Sequence, residues 1–436
     1  MVPFMDDNIK EINGPVNVVR LEGDVNGIKK VIYLFMDFHA DVMFQTSCEN
    51  IFAKDIQLYL AESFRDLNKT NKMYDFFLET WWMETQNVKY GYSREVDINP
   101  KEKYIEEVMK FFRKVFQYDP NENKVSVSKY LKNVRLHYID IRDYFTTNTF
   151  DRIHWILHAA NTMWINTYVN THLLTQIISA IDKIREDCLK IINILESAIK
   201  SYNKTGKITI IKHRNASQMN DTAQMNESSQ ISPEQQQINE DRMEYLLHKT
   251  FLNYKNPNIQ KKIIKQVEIL TNNLKHIASE CEIINENFNK IISTIPSPIV
   301  LVEDKKRLFE FNYGLSSITH RKILTFIFSE INTLEEKYTH FFMLFMDTYF
   351  LRRFLDKDYI TNAIVYTGGA HSVYYIENLV KEFNFRVTDF SYSKIPDLKE
   401  LNAEILKRND INLGELFFPP LFDQCSNVTH FPENFL

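Results

Sequence analysis

The sequence predicts an α/β protein whose mostly parallel central sheet is built from both chain ends, with a large all-helical insertion between them. Nearly continuous apolar, β-branched runs occur near both ends, as expected for parallel strands buried on both faces. Between these runs, apolar residues recur at helical spacing over a long stretch. The chain has only 9 glycines among 436 residues, and two of them are adjacent at a strand-to-helix turn near the C-terminus.

Residues 1–150 are predicted to form the N-terminal half of the α/β domain. Val16–Arg20 and Lys29–Phe35 are strand candidates, and the turn residues between them indicate a hairpin. A helix over Asp55–Asn68 and a strand over Met73–Leu78 follow, in an order typical of a crossover in an α/β unit. The remaining periodic segments predict a helix and then a strand, over Lys101–Phe116 and Asn133–Ile141.

Residues 151–356 are predicted to be the helical insertion. At about residues 205–240 the sequence carries Ser, Gln and Asn without any period, which predicts a disordered loop. Phe341–Phe354 is apolar but interrupted by charged residues, and it is shorter than the roughly 20 apolar residues of a membrane span. We therefore expect a core helix there.

Residues 357–436 are predicted to form the C-terminal half of the α/β domain and an irregular tail. Tyr359–Tyr366 is expected to be the last core strand, followed by a helix over His371–Phe383. Phe385–Phe390 is a further strand candidate. The proline-containing tail is expected to lie across the surface.

Charge and cysteine usage restrict the function classes. The net charge is −5, the pI is near 6.2 and no long basic stripe occurs, so nucleic-acid binding is not expected. The 4 cysteines lack C-x-x-C spacing, which argues against a disulfide framework or a zinc ribbon. This cysteine usage fits a reducing compartment and predicts a cytoplasmic location.

The C-terminal candidate site is the junction at Gly368, Gly369 and His371. Glycines let a ligand approach the backbone, and free N–H groups at a helix start can hold an anion, so the glycines are candidates for substrate binding. A histidine at such a junction can act as a base or ligate a metal. The alternative is a tight turn with a hydrogen-bonded structural histidine.

The N-terminal candidate site follows the other apolar run. Strand alternation puts Asp37 and His39 on the same side, which suits either a metal or a carboxylate that orients an imidazole. Glu79 closes the next strand, at the edge where open α/β sheets build their sites. The alternative for all three is an ordinary polar loop or strand end.

Three arginines are candidate anchors for an anionic group. Arg142 lies in an Asp-x-Arg pair after a predicted strand, and Arg352 and Arg353 interrupt an apolar helix. One of the last two is expected to point inward and to need an acidic partner. A structural salt bridge is the alternative for Arg142.

Together these segments resemble the superfamily of TraB, GumN and Tiki proteins, which also contains erythromycin esterase and the ChaN-like haem-binding proteins. Members show Leu-Phe-Gly-Thr-x-His early and Gly-x-x-His late. Leu34-Phe35-Met36-Asp37-Phe38-His39 and Gly368-Gly369-Ala370-His371 match these motifs, although Met36 or Asp37 stands where members have the early glycine. The resemblance implies a pair of site histidines, a strand-end acid and a late arginine, matched here by His39 and His371, Glu79, and Arg352 or Arg353.

A second resemblance concerns origin. The Lys-, Asn- and Ile-rich style and the phrase Tyr-Thr-Gly-Gly-Ala-His resemble uncharacterised proteins of giant DNA viruses. This resemblance implies a location in the host cytoplasm or the virion.

The sequence therefore leads to a hydrolase hypothesis for an ester or a peptide bond of a small-molecule or peptide substrate. The expected catalytic residues are His39, Glu79, His371, Asp37, Arg142 and Arg352, and the expected substrate-binding residues are Gly368, Gly369 and Arg353. Either His39, Glu79 and His371 ligate a divalent metal (Mn, Co or Zn), or no cofactor is used. The alternative function is a non-catalytic virion or interaction protein that contacts protein partners through its helical region.

Overall fold

A computed structural model describes most of the chain. The described residues are 10–39, 48–80, 104–113, 115–118, 125–141, 149–206, 246–247, 250, 254–295, 299–303, 307–311, 317–407 and 413–435. Arg142 and residues 207–240 of the predicted disordered loop lie outside them. Within the described ranges, no helix joins the length and the apolarity that a bilayer span requires.

The strands in chain order are β1 (Glu11–Asn13), β2 (Asn17–Val25), β3 (Ile28–Asp37), β4 (Lys54–Asp55), β5 (Tyr74–Leu78), β6 (Gln117–Tyr118), β7 (Val125–Val127), β8 (Val134–Tyr138), β9 (Ile299–Glu303), β10 (Arg307–Phe311), β11 (Asn362–Gly368), β12 (Arg386–Phe390) and β13 (Cys425–Asn427). The helices are α1 (Ile56–Leu67), α2 (Tyr104–Arg113), α3 (Thr149–Ile165), α4 (Thr171–Thr205), α5 (Pro257–Thr294), α6 (Ser317–Asp356), α7 (Gly369–Phe383), α8 (Leu398–Lys407) and α9 (Gly414–Phe417), and a 3₁₀ turn spans Glu433–Phe435.

The central sheet has eight strands in the order β12-β2-β3-β11-β5-β8-β7-β6. The four middle strands, β3, β11, β5 and β8, are parallel, and each neighbouring pair beyond them is antiparallel. The α/β class is confirmed, but a mostly parallel sheet holds only for the middle. One reason is local: Asn26 and Gly27, both at positive φ, form a two-residue turn that forces β2 and β3 into an antiparallel hairpin. The predicted insertion is not all-helical, because it contains the antiparallel pair β9 and β10.

Both faces of the sheet are covered by other elements. Successive side chains of a strand point to opposite faces, so one strand can contribute to two clusters. Tyr33 and Phe35 of β3 pack into a cluster with α1, α2 and the C-terminal tail. Leu34 and Met36 point to the opposite face and pack into a larger cluster with the long helices. The helical part and the sheet therefore share one core on that face.

Helix α6 links the helical part to the sheet. It has 40 residues, which corresponds to about 60 Å of helix. The ring of Phe350 lies 5.1 Å from Phe77 on β5 and 4.3 Å from Tyr375 on α7, between ring centroids. The predicted core helix over Phe341–Phe354 is thus buried against the sheet, and it brings its charged residues to the ends of the strands.

The end of α6 is fixed by a buried lysine from β3. Lys30 is 1% exposed, and its Nζ donates to the carbonyl oxygens of Phe354 at 3.0 Å and Lys357 at 2.8 Å. A cation at a helix C-terminus satisfies free carbonyls and complements the helix dipole. Burial lowers the pKa of Lys30 to about 8.

The C-terminal tail is part of the core, which differs from the expected irregular tail on the surface. Phe435 is 4% exposed, its ring centroid lies 4.9 Å from that of Tyr33, and its carbonyl accepts from the Tyr74 hydroxyl at 2.6 Å. Burying tail aromatics covers apolar side chains that the strand face would otherwise expose. Prolines in the sequence suggested irregular chain but did not reveal this burial.

A disulfide joins Cys48 to Cys425, which corrects the expectation drawn from cysteine spacing. The two residues are 377 positions apart, so no local spacing pattern could reveal the pair. β13, which carries Cys425, pairs with β1, and the bond fastens this small sheet to the segment before α1. Cys188 and Cys281 are free and buried in the helical part.

Candidate functional site

Three parallel strands bring the candidate residues to one edge of the sheet. Gly368 at the end of β11 is in register with Asp37 at the end of β3, and Tyr366 is in register with Leu78 at the end of β5. The residues just past these ends are His39, Glu79 and the first turn of α7. This edge is where open α/β sheets build sites, and the residues converge there as the sequence predicted.

His39 is held by the carboxylate at the end of its own strand. Its Nδ1–H donates to Asp37 Oδ2 at 2.5 Å, and its backbone N–H donates to the same oxygen at 2.9 Å. The other oxygen of Asp37 accepts from the Tyr366 hydroxyl at 2.7 Å. His39 adopts a positive φ of 59°, and this local carboxylate turn aims its Nε2 toward Glu79.

His371 forms a second carboxylate–imidazole pair. Its Nδ1–H donates to Asp347 Oδ1 at 2.6 Å, and Asp347, on α6, is completely buried. The sequence pattern identified Asp347 only as an interruption of an apolar helix. A buried carboxylate in such a helix needs a partner, and that requirement was the available signal.

Glu79 lies between the two imidazoles. Its Oε2 is 3.6 Å from His39 Nε2, and its Oε1 is 3.4 Å from His371 Nε2. Thr367 Oγ1 and the Gly368 backbone N–H donate to Oε2 at 2.6 Å and 2.8 Å. The arrangement is thus a row of alternating carboxylates and imidazoles that begins at Asp37 and ends at Asp347.

The two glycines have different surroundings. A Cβ on Gly368 would lie 3.1 Å from His39 Nε2, so a side chain there would crowd the imidazole. A Cβ on Gly369 would lie 2.5 Å from a ring carbon of Phe418, so this glycine permits close packing of the tail on α7. Their predicted contact with substrate stays a prediction.

The charges of the row reinforce one another. Burial alone would lower the pKa of His39, but its contacts with Asp37 and Glu79 raise it to about 9. For His371, burial also acts to lower the pKa, and the carboxylates of Asp347 and Glu79 raise it well above its ordinary value. Burial acts to raise the pKa of Glu79, yet the two histidines hold it well below the usual range. At neutral pH the row therefore holds two imidazolium cations and an ionised Glu79.

His39, Glu79 and His371 were predicted as metal ligands, and that role stays a prediction. Donor atoms around a tetrahedral metal with bonds of about 2.1 Å lie roughly 3.4 Å apart. His39 and His371 approach opposite oxygens of Glu79, and the three residues do not offer three donors that all lie within 4.8 Å of one another. Among the described residues, the group that meets this distance is Glu11 with Cys48 and Cys425, whose sulfurs are joined in the disulfide.

Of the three arginines predicted to anchor an anionic group, the structure describes Arg352 and Arg353, and neither lines the cavity that contains the site. Arg353 is 8% exposed; its Nη1–H donates to the Tyr349 hydroxyl at 2.9 Å and its Nη2–H to His137 Nδ1 at 2.8 Å. The guanidinium carbon of Arg352 lies 5.7 Å from the centroid of the Tyr254 ring. Arg353 does point inward, as expected, but its contacts serve a buried structural cluster, which argues against its predicted role in binding substrate.

Comparison with known proteins identifies a family and several relatives from a giant virus. Residues 10–436 match the model of a family of unknown function, DUF5847. Uncharacterized protein R706 of Acanthamoeba polyphaga mimivirus is 42% identical over 435 residues, which cover 99% of this chain and 98% of that protein. Uncharacterized proteins R161 and R160 of the same virus are 38% and 34% identical, each over 99% of both chains. No solved structure matches. The likeness to giant-virus proteins is confirmed, and none of these matches supports the TraB superfamily.

Proposed function

We propose that this chain, which belongs to the DUF5847 family, hydrolyses an ester or amide bond by general acid–base catalysis. The reaction takes place at His39, Glu79 and His371, at the centre of the row. The observation that carries the proposal is that two carboxylate-bound imidazoles direct their Nε2 atoms at one carboxylate. A carboxylate on Nδ1 fixes the tautomer and orientation of an imidazole and stabilises its protonated form. Two such pairs in one cavity supply both a base and an acid.

The environments of the two histidines indicate which one acts as the base and which one as the acid. The side chain of His39 is 35% exposed, so it is the more accessible of the two. Because its pKa is about 9, it reaches its neutral form at alkaline pH. The side chain of His371 is 11% exposed, and the carboxylates of Asp347 and Glu79 raise its pKa well above the ordinary value, which favours its protonated form. We assign His39 as the base and His371 as the acid.

The steps follow from these assignments. His39 Nε2 takes a proton from a water molecule, and the resulting hydroxide attacks the carbonyl carbon to form a new C–O bond. The bond to the alcohol or amine then breaks, and the His371 Nε2–H protonates the leaving group. Glu79 stays ionised throughout and stabilises both imidazolium forms. None of these steps uses a metal.

Hydrolysis of a panel of p-nitrophenyl esters and peptide amides tests the proposal. The wild-type chain is expected to hydrolyse at least one ester or amide, and His39→Ala should lower kcat/KM about 10²- to 10⁴-fold. The exposed His172, on α4, gives a matched control, and His172→Ala should leave the rate unchanged. Activity should also survive a metal chelator.

Absence of panel activity, or equal activity in wild type and His39→Ala, would overturn the proposal. That outcome would favour the non-catalytic alternative. Loss of activity on chelation, with recovery on adding a divalent metal, would instead return His39, Glu79 and His371 to the role of ligands.

A further inference from the structure

We propose that the cavity selects substrates carrying an organic cation, such as esters or amides with an alkylammonium group. The inference rests on the proposed function and adds the substrate class. The cavity has a volume of about 620 Å³, and His39, Glu79 and His371 are part of its lining. That volume lies in the range of small-molecule pockets.

The walls of this cavity carry more negative than positive charge, because the carboxylates of the lining outnumber the imidazolium ions of His39 and His371. Besides Glu79, its carboxylates are Glu106, Asp140, Asp151 and Glu335. Lysine and arginine are absent from the part of the lining that the structure describes. A concave surface with an excess of one sign of charge focuses the field and concentrates ligands of the opposite sign.

The carboxylates come from separate elements, so they surround the space. Glu106 lies on α2, Asp140 follows β8, Asp151 lies on the first turn of α3, and Glu335 lies near the middle of α6. A single acidic helix face would instead be an ordinary solvated surface. Here the carboxylates of four elements line the same cavity as His39, Glu79 and His371.

The uncharged part of the wall suits the body of an organic cation. The rings of Phe150 and Phe342 lie 5.0 Å apart edge to face, and Met343 and Met346 lie beside them in the lining. Aromatic faces attract cations, and methionine packs adaptably against alkyl groups. A hydrated metal ion would not use this apolar surface, whereas a tetraalkylammonium or alkylammonium group would.

A pair of esters that match in shape and differ in charge tests the inference on the full chain. A choline ester and the 3,3-dimethylbutyl ester of the same acid have nearly the same shape, but only the first is cationic. We expect the choline ester to have a kcat/KM at least about tenfold higher, within the range that electrostatic steering supplies. The double variant Asp151→Asn, Glu335→Gln should narrow this ratio at least about threefold.

Glu186→Gln gives the control. Glu186 is exposed on α4, away from the cavity, so this substitution should leave the ratio unchanged.

Calorimetry with tetraethylammonium chloride provides a readout that needs no turnover, and binding should weaken in the double variant. Equal rates for the two esters, or no binding of tetraethylammonium, would overturn the inference. If neutral esters are hydrolysed while this preference is absent, only the inference fails; if no ester or amide of the panel is hydrolysed, the proposed function fails.

Discussion

Asp347→Asn is expected to lower kcat about 10²- to 10⁴-fold and to leave KM nearly unchanged. Asp347 Oδ1 accepts the Nδ1–H of His371 at 2.6 Å, and an amide in its place carries no charge to stabilise the imidazolium. An amide NH₂ facing Nδ1 would also favour the wrong tautomer, as known for the Asp of serine-protease triads. Steady-state kinetics on the best ester of the panel checks this.

The control for this change is Asp182→Asn, on the exposed face of α4, which should keep wild-type kinetics. Circular dichroism should show that Asp347→Asn is folded, because burial acts to raise the pKa of Asp347 and an uncharged amide is tolerated there. A variant that is folded and fully active would contradict the assignment of Asp347 as the residue that positions His371.

Asp75→Ala is expected to lower the free energy of unfolding by about 3–5 kcal/mol, because it removes one partner of a buried charge cluster. Asp75 Oδ1 and Oδ2 accept from Arg135 at 2.9 and 2.7 Å, and Oδ1 accepts the His137 Nε2–H at 2.6 Å. Arg353 in turn donates to His137 Nδ1, so the cluster joins β5 and β8 to α6. Without Asp75, two guanidinium groups would remain near a desolvated histidine.

Urea denaturation at pH 7 checks this expectation, with Arg135→Ala for comparison. The side chain of Arg135 is 22% exposed and Asp75 keeps its contact with His137, so Arg135→Ala should cost less. Burial lowers the pKa of His137 to about 4, so this histidine is neutral at pH 7 and takes no charge into the cluster. A loss below about 1 kcal/mol for Asp75→Ala would contradict its place in the cluster.

The middle of the sheet and the residues at its edge were predictable, because their signals are local. Asn26-Gly27 determines a hairpin, and the strand runs that end near His39, Glu79 and His371 place these residues at one edge of a parallel sheet. Charged residues at the ends of apolar runs were sufficient to find four members of the row, namely Asp37, His39, Glu79 and His371.

The partners that complete the site were not predictable, because they come from distant elements. Asp347 lies on a 40-residue helix, and its sequence does not show which turn of α6 passes the sheet edge. The same limit applies to Arg353, which meets His137 across 216 positions, and to the disulfide of Cys48 with Cys425. Long-range pairing depends on packing between layers, which periodicity within one element does not encode.

The pH dependence of kcat/KM for the best ester of the panel tests most directly whether the row works as an acid–base pair. His39 must be neutral to accept a proton, and its contacts with Asp37 and Glu79 raise its pKa to about 9. The wild-type rate should therefore rise with pH and reach half of its maximum near pH 9. A rate that is flat between pH 6 and 10, or that falls as the pH rises through 9, would contradict this assignment.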